Sequence, residues 1–362
     1  MELTAPSEWG RRLSDRIRTA LDEADFETAR RLALEGDGQA RSLEKEYTLM
    51  YKGLGITLRV LLELLGETAR SQPAVDRDSA VSALVALLLR FMQEMGALLR
   101  QVYAESLVVE AVRNVGDARS PTLAADLEHH LAATAHLLSS AERVFAQEQA
   151  RLATETVRAI EAREVAQARG VLDQKERGQY VPLHDRMVRF MAEVFSYILE
   201  HFGPAELYRF HRATAERQRR GFESWERLAP SGFAQASVFL LKQHMGTVAV
   251  REDDEKYTVV QTPCGSGGRL KLGGAYSGPR ALRFVEELGP LTLGQERFPV
   301  YCSHCPIWNG VAPIEWFGRP HWVFEDPSRA DGSCTLHIYK RRDAAPATYY
   351  RRLGLGEAGS GG

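Results

Sequence analysis

The chain has 362 residues, of which 44% are hydrophobic, and its 46 Lys and Arg nearly balance its 48 Asp and Glu. This length and composition are typical of a well-folded protein of two or three domains. Because the formal net charge is only −2, no overall field would draw the chain to nucleic acid or to an anionic membrane surface. We therefore expect no nucleic acid and no membrane among its partners.

The start of the chain and its most apolar run both predict a cytoplasmic protein. Residues 1–9 lack the basic start and the apolar core of a secretory signal. The most apolar run, residues 81–92, is interrupted by Arg90 and is too short to span a bilayer. In the cytoplasm thiols stay reduced, so clustered cysteines are better interpreted as metal ligands or reactive thiols than as disulfides.

Residues 8–243 read almost entirely as helix, because they are rich in Ala, Leu, Glu and Arg and their apolar residues recur every three to four positions. Within them residues 20–32 are similar in pattern to residues 159–171, and apolar positions agree further downstream. The pattern predicts two tandem copies, 8–140 and 141–243, packed as a pseudo-symmetric bundle. Each copy would be a helix, a short break and a long amphipathic helix that ends at a capping glycine, Gly66 or Gly203.

The amino-acid composition changes after residue 243. Residues 247–252 and 256–261 are rich in β-branched residues and predict a hairpin, and residues 321–325 and 334–340 predict two more strands. Residues 280–288 and 306–317 predict short helices. The fold class expected is therefore mainly α with a C-terminal α+β domain, 244–352, built on a small antiparallel sheet and followed by a flexible tail, 353–362.

All four cysteines fall in this last domain, in the pattern Cys-x37-Cys-x2-Cys-x28-Cys. The predicted elements place Cys264 after a strand, Cys302 and Cys305 before a helix, and Cys334 at the start of a strand. We expect the four to converge at one edge of the sheet and to bind zinc. Four thiolates would make a closed, structural site, whereas three would leave a position for water or substrate.

Two other interpretations of the cysteines stay open. An imidazolium lowers the pKa of a neighbouring thiol, so Cys302 or Cys305 beside His304 could act as a nucleophile. The cysteines could also be small buried residues without a chemical role.

Several polar residues near the cysteines are candidates for catalysis. The run Gly265-Ser266-Gly267-Gly268 lacks the features of a phosphate loop and is better explained as a tight turn that lets the backbone pass close to the site. Arg269 could hold a substrate carboxylate, and Glu315 could act as a general base, as His304 could. Alternative acids, bases or ligands are Glu325, Asp326, His321 and His337.

The chain resembles a bacterial family at four places: Leu183-His184-Asp185, residues 263–270, residues 301–305 and residues 334–340. In these residues it is similar to the aminothiazoline-carboxylate hydrolases and to vinyl-reductase-type small-molecule-binding domains with cysteine-based zinc sites. The resemblance covers residues 155–350. It implies that only the second helical copy is functional, because the first copy has Glu46-Tyr47-Thr48 where the second has the His-Asp pair.

The sequence predicts a small-molecule enzyme, a hydrolase or lyase of a carboxylate-bearing heterocycle or amino-acid derivative. Its metal ligands would be Cys264, Cys302, Cys305 and Cys334, with zinc as the cofactor. The alternative is a ligand-binding or regulatory module in which a closed zinc site of four cysteines is structural and the helices serve for dimerisation, so that a homo-oligomer is expected.

Overall fold

The structure is a computed structural model that describes residues 5–71, 77–112, 122–325 and 327–356. Asp326 and residues 357–362 of the predicted tail lie outside the described residues. The chain divides into two compact units. Unit 1 comprises residues 11–190, and unit 2 comprises residues 191–356 together with the N-terminal residues 5–10. This division follows spatial contacts, and the predicted boundaries of the two sequence copies stay a prediction.

Unit 1 is helical. Its α-helices are α1 Leu13–Asp22, α2 Phe26–Glu35, α3 Thr48–Ser71, α4 Arg77–Val102, α5 Glu105–Val112, α6 Leu123–Glu161 and α7 Val165–Asp173, followed by a π-helix, Gln174–Tyr180, and the start of α8, Val181–Arg217. A 3-10 turn, Leu43–Lys45, precedes α3.

The long helix α6 organises unit 1. Leu127, Leu131, Leu138, Phe145 and Leu152 are buried along it at spacings of four and seven residues, which put them on one side of the helix. This helix packs against α2, α3, α4, α5 and α7. Burial of this apolar side of α6 therefore stabilises unit 1.

The predicted duplication has a matching backbone feature. The break between α1 and α2 and the break between α6 and α7 each contain a residue in the left-handed region, Ala24 (φ 56°) and Arg163 (φ 59°). The next residues, Asp25 and Glu164, both have φ near −88° and ψ near 75°. Each donates its amide to the carbonyl five residues back, on Ala20 or Ala159, at 2.9 and 2.8 Å. The two sequence segments thus form the same helix–break–helix unit.

The two glycines that were predicted to end the long helices behave differently. Gly203 has φ 84° and ψ 175°, so it breaks α8 before Pro204 as expected. Gly66 lies inside α3, and the prediction that it ends that helix was wrong. A Cβ at Gly66 would lie 3.1 Å from Leu131 Cδ1, so this glycine serves close packing of α3 on α6.

Unit 2 combines helices with a small sheet, as the fold class predicts. Its helices, after the part of α8 that follows residue 190, are α9 Arg219–Trp225, α10 Pro230–Gln243, α11 Gly267–Leu272, α12 His304–Pro306, α13 Ala312–Phe317 and α14 Ala347–Arg352, with a π-helix at Ile307–Val311 and 3-10 turns at Pro6–Glu8, Pro290–Thr292 and Val300–Ser303.

The main sheet of unit 2 is antiparallel. Its strands are β1 Val248–Glu252, β2 Lys256–Gln261, β5 Val323–Phe324 and β6 Cys334–Tyr339, in the order β1-β2-β6-β5. The register puts Gln261 opposite Cys334 and Tyr257 opposite Ile338. A second ribbon pairs β3 Phe284–Val285 with β4 Phe298–Pro299.

One predicted helix, residues 280–288, was wrong, because part of it forms this ribbon. Residues 280–288 have a helical pattern, yet Phe284 and Val285 pair with β4, and the Leu282 amide donates to the Ala275 carbonyl at 2.8 Å. A glycine followed by a proline flanks this segment on each side, and such pairs disfavour a continuous helix. Pairing with β4 therefore prevails over the helical propensity of the segment.

Among the described residues one helix, α4, is long and apolar enough to cross a membrane by length and composition alone. A helix in the core of a soluble protein passes the same test, and α4 packs on α6. The cytoplasmic location stays a prediction.

Candidate functional site

Cys264 is positioned by the end of β2 and by the glycine run after it. Its amide donates to the Gly332 carbonyl at 2.9 Å, and its carbonyl accepts from the Arg269 amide at 3.0 Å in the first turn of α11. Its Sγ lies 3.6 Å from Ser266 Oγ. Cys264 therefore stands between β2 and a short helix, with its side chain partly exposed.

The glycine run permits close approach, as expected. A Cβ at Gly267 would lie 2.8 Å from Cys302 Sγ, and one at Gly268 would lie 2.1 Å from the Gly332 carbonyl oxygen. Neither glycine has a positive φ, so the absence of a side chain is what these positions require. Gly267 brings α11 directly against Cys302.

Cys302 and Cys305 lie on two consecutive helical turns, Val300–Ser303 and α12. Ser303, between them, donates from Oγ to the Val300 carbonyl at 2.7 Å and accepts from His211 Nε2 at 2.9 Å. Trp308 in turn donates to the His211 carbonyl at 3.1 Å. His211 on α8 and this serine thus hold the turn that carries the two cysteines.

Three thiols share one neighbour, the buried side chain of Tyr301. Burial raises the pKa of Tyr301, and the charges of Cys305, Cys264 and Cys302 raise it further, against a hydrogen bond with Ser266. The three thiols also act on one another. Burial and then Cys264 raise the pKa of Cys302 to about 12, and burial, Cys302 and Cys264 raise the pKa of Cys305 well above its ordinary value.

The fourth cysteine, Cys334, lies on a strand and is buried. Cys334 is buried at the start of β6, opposite Gln261. It shares with Cys305 an effect on the pKa of Tyr349, whose hydroxyl donates to the Trp322 carbonyl at 3.0 Å. Cys305 thus acts on both tyrosines, on Tyr301 together with Cys264 and Cys302 and on Tyr349 together with Cys334.

His304 completes the group of three thiols. Its Nδ1 faces the Tyr301 carbonyl and so must carry the proton, which leaves the lone pair on Nε2. This Nε2 lies 3.6 Å from Cys305 Sγ. Burial lowers the pKa of His304 to about 4, against the bond to Tyr301, so the ring is neutral at pH 7. A neutral imidazole can bind a metal or accept a proton, but it cannot activate a thiol as an imidazolium would.

The other predicted site residues each have a hydrogen-bond or ion-pair partner. Arg269 donates to the Met245 carbonyl at 3.3 Å. The Glu315 carboxylate pairs with Arg212 and is 44% exposed. His321 Nε2 lies 2.9 Å from Glu226, and His337 Nε2 lies 3.4 Å from Glu325. In unit 1, His184 Nδ1 lies 2.8 Å from its neighbour Asp185.

Within the described part of the chain, no three His, Cys, Asp or Glu side chains already place their donor atoms around one point as metal ligands do. Sequence reasoning missed His211 and Ser303, because they meet only in the folded chain across 92 positions.

No protein-family model, curated protein or solved structure matches this chain. The resemblance to the aminothiazoline-carboxylate hydrolases and to the vinyl-reductase-type domains therefore stays a prediction.

Proposed function

We propose that unit 2 is a small-molecule enzyme, a hydrolase or lyase, that holds a zinc ion with the thiolates of Cys264, Cys302 and Cys305. The observation that carries this proposal is the close approach of α11, which follows Cys264, to Cys302 and Tyr301 at Gly267, together with the effect of all three thiols on the buried Tyr301. Three thiolates leave the fourth position of a tetrahedral zinc ion to water or substrate.

Zinc fits the donors better than direct attack by a thiol. A nucleophilic cysteine needs a lowered pKa, whereas the pKa values of Cys302 and Cys305 are raised and the adjacent His304 is neutral. A divalent cation compensates three clustered thiolates, which otherwise repel one another. When bound, zinc supplies Lewis-acid activation of water or of a substrate carbonyl.

The residues of unit 2 would share the remaining work. His304 Nε2, beside Cys305, would orient the attacking water by accepting a hydrogen bond from it. Arg269, on the helix that begins beside Cys264, would orient a substrate carboxylate. The pairing of Glu315 with Arg212 favours a structural role, and the role of Glu315 as a base stays a prediction. A carboxylate-bearing heterocycle or amino-acid derivative is the substrate class that these groups suit.

One distance favours a second candidate, a binding or regulatory module with a closed structural zinc. Two ligands of a tetrahedral zinc ion, one nitrogen and one sulfur, lie about 3.5 Å apart. His304 Nε2 and Cys305 Sγ are 3.6 Å apart. His304 would then be the fourth ligand, and no position would remain for a substrate.

Metal analysis and cobalt substitution distinguish these candidates. For the enzyme we expect one zinc per chain, its loss in Cys264→Ser, Cys302→Ser and Cys305→Ser, and its retention in Cys334→Ser and His304→Ala. The visible spectrum of the Co²⁺ protein should change when acetohydroxamate is added, because the fourth position is open. Loss of metal in His304→Ala or Cys334→Ser, with a spectrum that acetohydroxamate leaves unchanged, would establish a closed structural site. Absence of zinc from the wild type would refute both.

A further inference from the structure

A lysine of unit 2 that the proposed zinc chemistry does not use contacts the loop between β5 and β6. Lys271 lies in the last turn of α11. Its Nζ donates hydrogen bonds to the carbonyls of Ser328 at 2.8 Å and Arg329 at 3.1 Å. These two residues belong to the segment 327–333, which we call the 327–333 loop. One side chain of α11 therefore connects the helix to this loop.

The 327–333 loop also contacts two of the proposed zinc ligands. The Cys264 amide donates to the Gly332 carbonyl at 2.9 Å. Burial and then the charge of Cys264 raise the pKa of Cys302. A hydrogen bond from Ser328 and the charge of Lys271 oppose this rise. Lys271 therefore acts on the Cys302 thiol, and it also holds the serine that bonds this thiol.

Two glycines let the backbone of the 327–333 loop lie directly on α11. A Cβ at Gly268 would lie 2.1 Å from the Gly332 carbonyl oxygen, and one at Gly332 would lie 2.9 Å from Leu272 Cδ1. Gly332 has φ 74°, which glycine adopts without strain. The loop and α11 thus meet backbone to backbone, and Lys271 adds hydrogen bonds along this contact.

The loop residue that bonds Cys302 has a strained backbone. Ser328 has φ 70°, in the left-handed region where a residue with a side chain is unfavourable. Such a conformation persists only where surrounding contacts compensate its cost, and strained residues are often found at functional sites. The hydrogen bond from Lys271 to the Ser328 carbonyl is such a contact.

Hydrogen bonds within the 327–333 loop shape its second half. Asp331 accepts from the amide and the hydroxyl of Ser333 at 3.0 and 2.6 Å. The Arg329 amide donates to the Ser333 carbonyl at 3.3 Å. These bonds lie between residues 329 and 333, whereas the bond from Lys271 reaches Ser328 in the first half of the loop.

We propose that Lys271 is a positioning residue of the metal site, which fixes the 327–333 loop so that the loop orients the thiols of Cys264 and Cys302. The Gly332 carbonyl would hold the backbone of Cys264, and the Ser328 hydroxyl would hold the sulfur of Cys302. This inference rests on the proposed zinc site and adds to it a residue that is not a ligand. Three thiolates carry one negative charge more than Zn²⁺, and the Lys271 ammonium compensates part of this excess.

Zinc affinity of the full chain, measured by competition with a chromogenic chelator, tests this proposal. Lys271→Met should lower the affinity by about ten- to a hundredfold, as the loss of other residues that orient metal ligands does. Lys271→Arg keeps the charge and the hydrogen-bond donors and should recover most of the affinity. Lys340→Met is the matched control, because Lys340 also donates to a carbonyl, that of Asp253 at 2.6 Å, but follows the end of β6 opposite to Cys334.

Hydrogen exchange of the zinc-free protein separates positioning from a structural role. In Lys271→Met the Cys264 amide should exchange about three- to tenfold faster, because its acceptor on the 327–333 loop is held less firmly. The melting temperature should change little, since Lys271 is partly exposed. A lysine with only a structural role would lower the melting temperature and leave the zinc affinity unchanged.

Ser328→Gly provides a second test in which stability and affinity change in opposite directions. Glycine relieves the positive φ, so the zinc-free protein should melt at a higher temperature. The loss of the hydroxyl beside Cys302 should weaken zinc by about three- to tenfold.

The proposal is overturned if Lys271→Met or Ser328→Gly binds zinc as tightly as Lys340→Met, or if exchange of the Cys264 amide is the same in Lys271→Met and the wild type. Zinc binding by the wild type with unchanged affinity in Lys271→Met would refute the role of Lys271 alone. Absence of zinc from the wild type would refute the zinc site itself, and with it this role, so the two failures are distinguishable.

Discussion

Ala24 and Arg163 occupy the same left-handed backbone conformation, 139 positions apart, in breaks that carry the same hydrogen bonds. Neither residue is a glycine, and a side chain in this region is strained. The side chains at the two breaks differ: Asp25 accepts a hydrogen bond from the Thr28 amide, whereas Glu164 makes no such bond, and the Arg163 guanidinium lies 5.4 Å from the ring centroid of Phe26.

Replacing Ala24 by glycine should therefore stabilise unit 1 by about 0.5–1 kcal/mol, since glycine adopts a positive φ without strain. Arg163→Gly should gain less, because it also loses the contact with Phe26. Urea unfolding measures both. Ala162→Gly, next to Arg163 but at φ −78°, is the control and should be destabilising. If Ala24→Gly destabilises as Ala162→Gly does, strain at this position is not significant.

Gly267→Ala should disrupt the proposed zinc site, because its Cβ would lie 2.8 Å from Cys302 Sγ. We expect the affinity for zinc to fall by about ten- to a hundredfold, as for other changes beside a metal ligand. Competition with a chromogenic chelator measures the affinity. Gly221→Ala meets no atom within 4 Å and serves as the control. Equal zinc affinity of the two variants would remove Cys302 from the ligand set.

Trp9 should contribute strongly to the stability of unit 2, although its position in the sequence suggests the helical region. It is 2% exposed, and its ring lies 5.4 Å from that of Tyr257 on β2. Trp9→Ala should cost about 3–5 kcal/mol. Hydrogen exchange in increasing urea should show faster opening of β1 and β2, whereas exposed Leu272→Ala should change little. Unchanged exchange in β1 and β2 would contradict this assignment.

Glu226 holds two arginines and a histidine in a partly buried cluster of unit 2. Its carboxylate lies 2.9 Å from His321, 3.0 Å from Arg319 and 3.2 Å from Arg342. Glu226→Gln should destabilise unit 2 by about 2–3 kcal/mol, because it leaves the two arginines without their counter-charge. Glu315→Gln, which removes a more exposed carboxylate, should cost about 0.5 kcal/mol or less. Thermal unfolding of both variants checks the difference.

The same cluster should make unit 2 sensitive to acid. Burial lowers the pKa of His321, although its bond to Glu226 acts to raise it. Burial acts to raise the pKa of Glu226, but the combined effect of His321, Arg319 and Arg342 is larger and lowers it. The unfolded chain thus takes up these protons near pH 6.5 and 4.5, before the folded chain does. The stabilisation is complete above about pH 6.5 and is lost as pH falls. His321→Gln should reduce the slope of stability against pH between about 7 and 5, and an unchanged slope would refute the argument.

Local chemistry was enough to predict much of this protein from its sequence. Helical periodicity, the β-branched runs and the pattern shared by residues 20–32 and 159–171 all depend on neighbours in the chain. The break at Gly203, the β1–β2 hairpin and the position of Cys264 after a strand follow from the same rules. The helix predicted for residues 280–288 failed because its hydrogen-bond partners, on β4, lie beyond any local pattern.

Only the tertiary structure decided which side chains meet. It brings α11, which follows Cys264, against Cys302 and joins His211 to Ser303. It also buries Lys175 without an acceptor among the described residues. These relations depend on contacts between residues far apart in sequence and on the exclusion of water. The spacing of residues along the chain predicts neither of them.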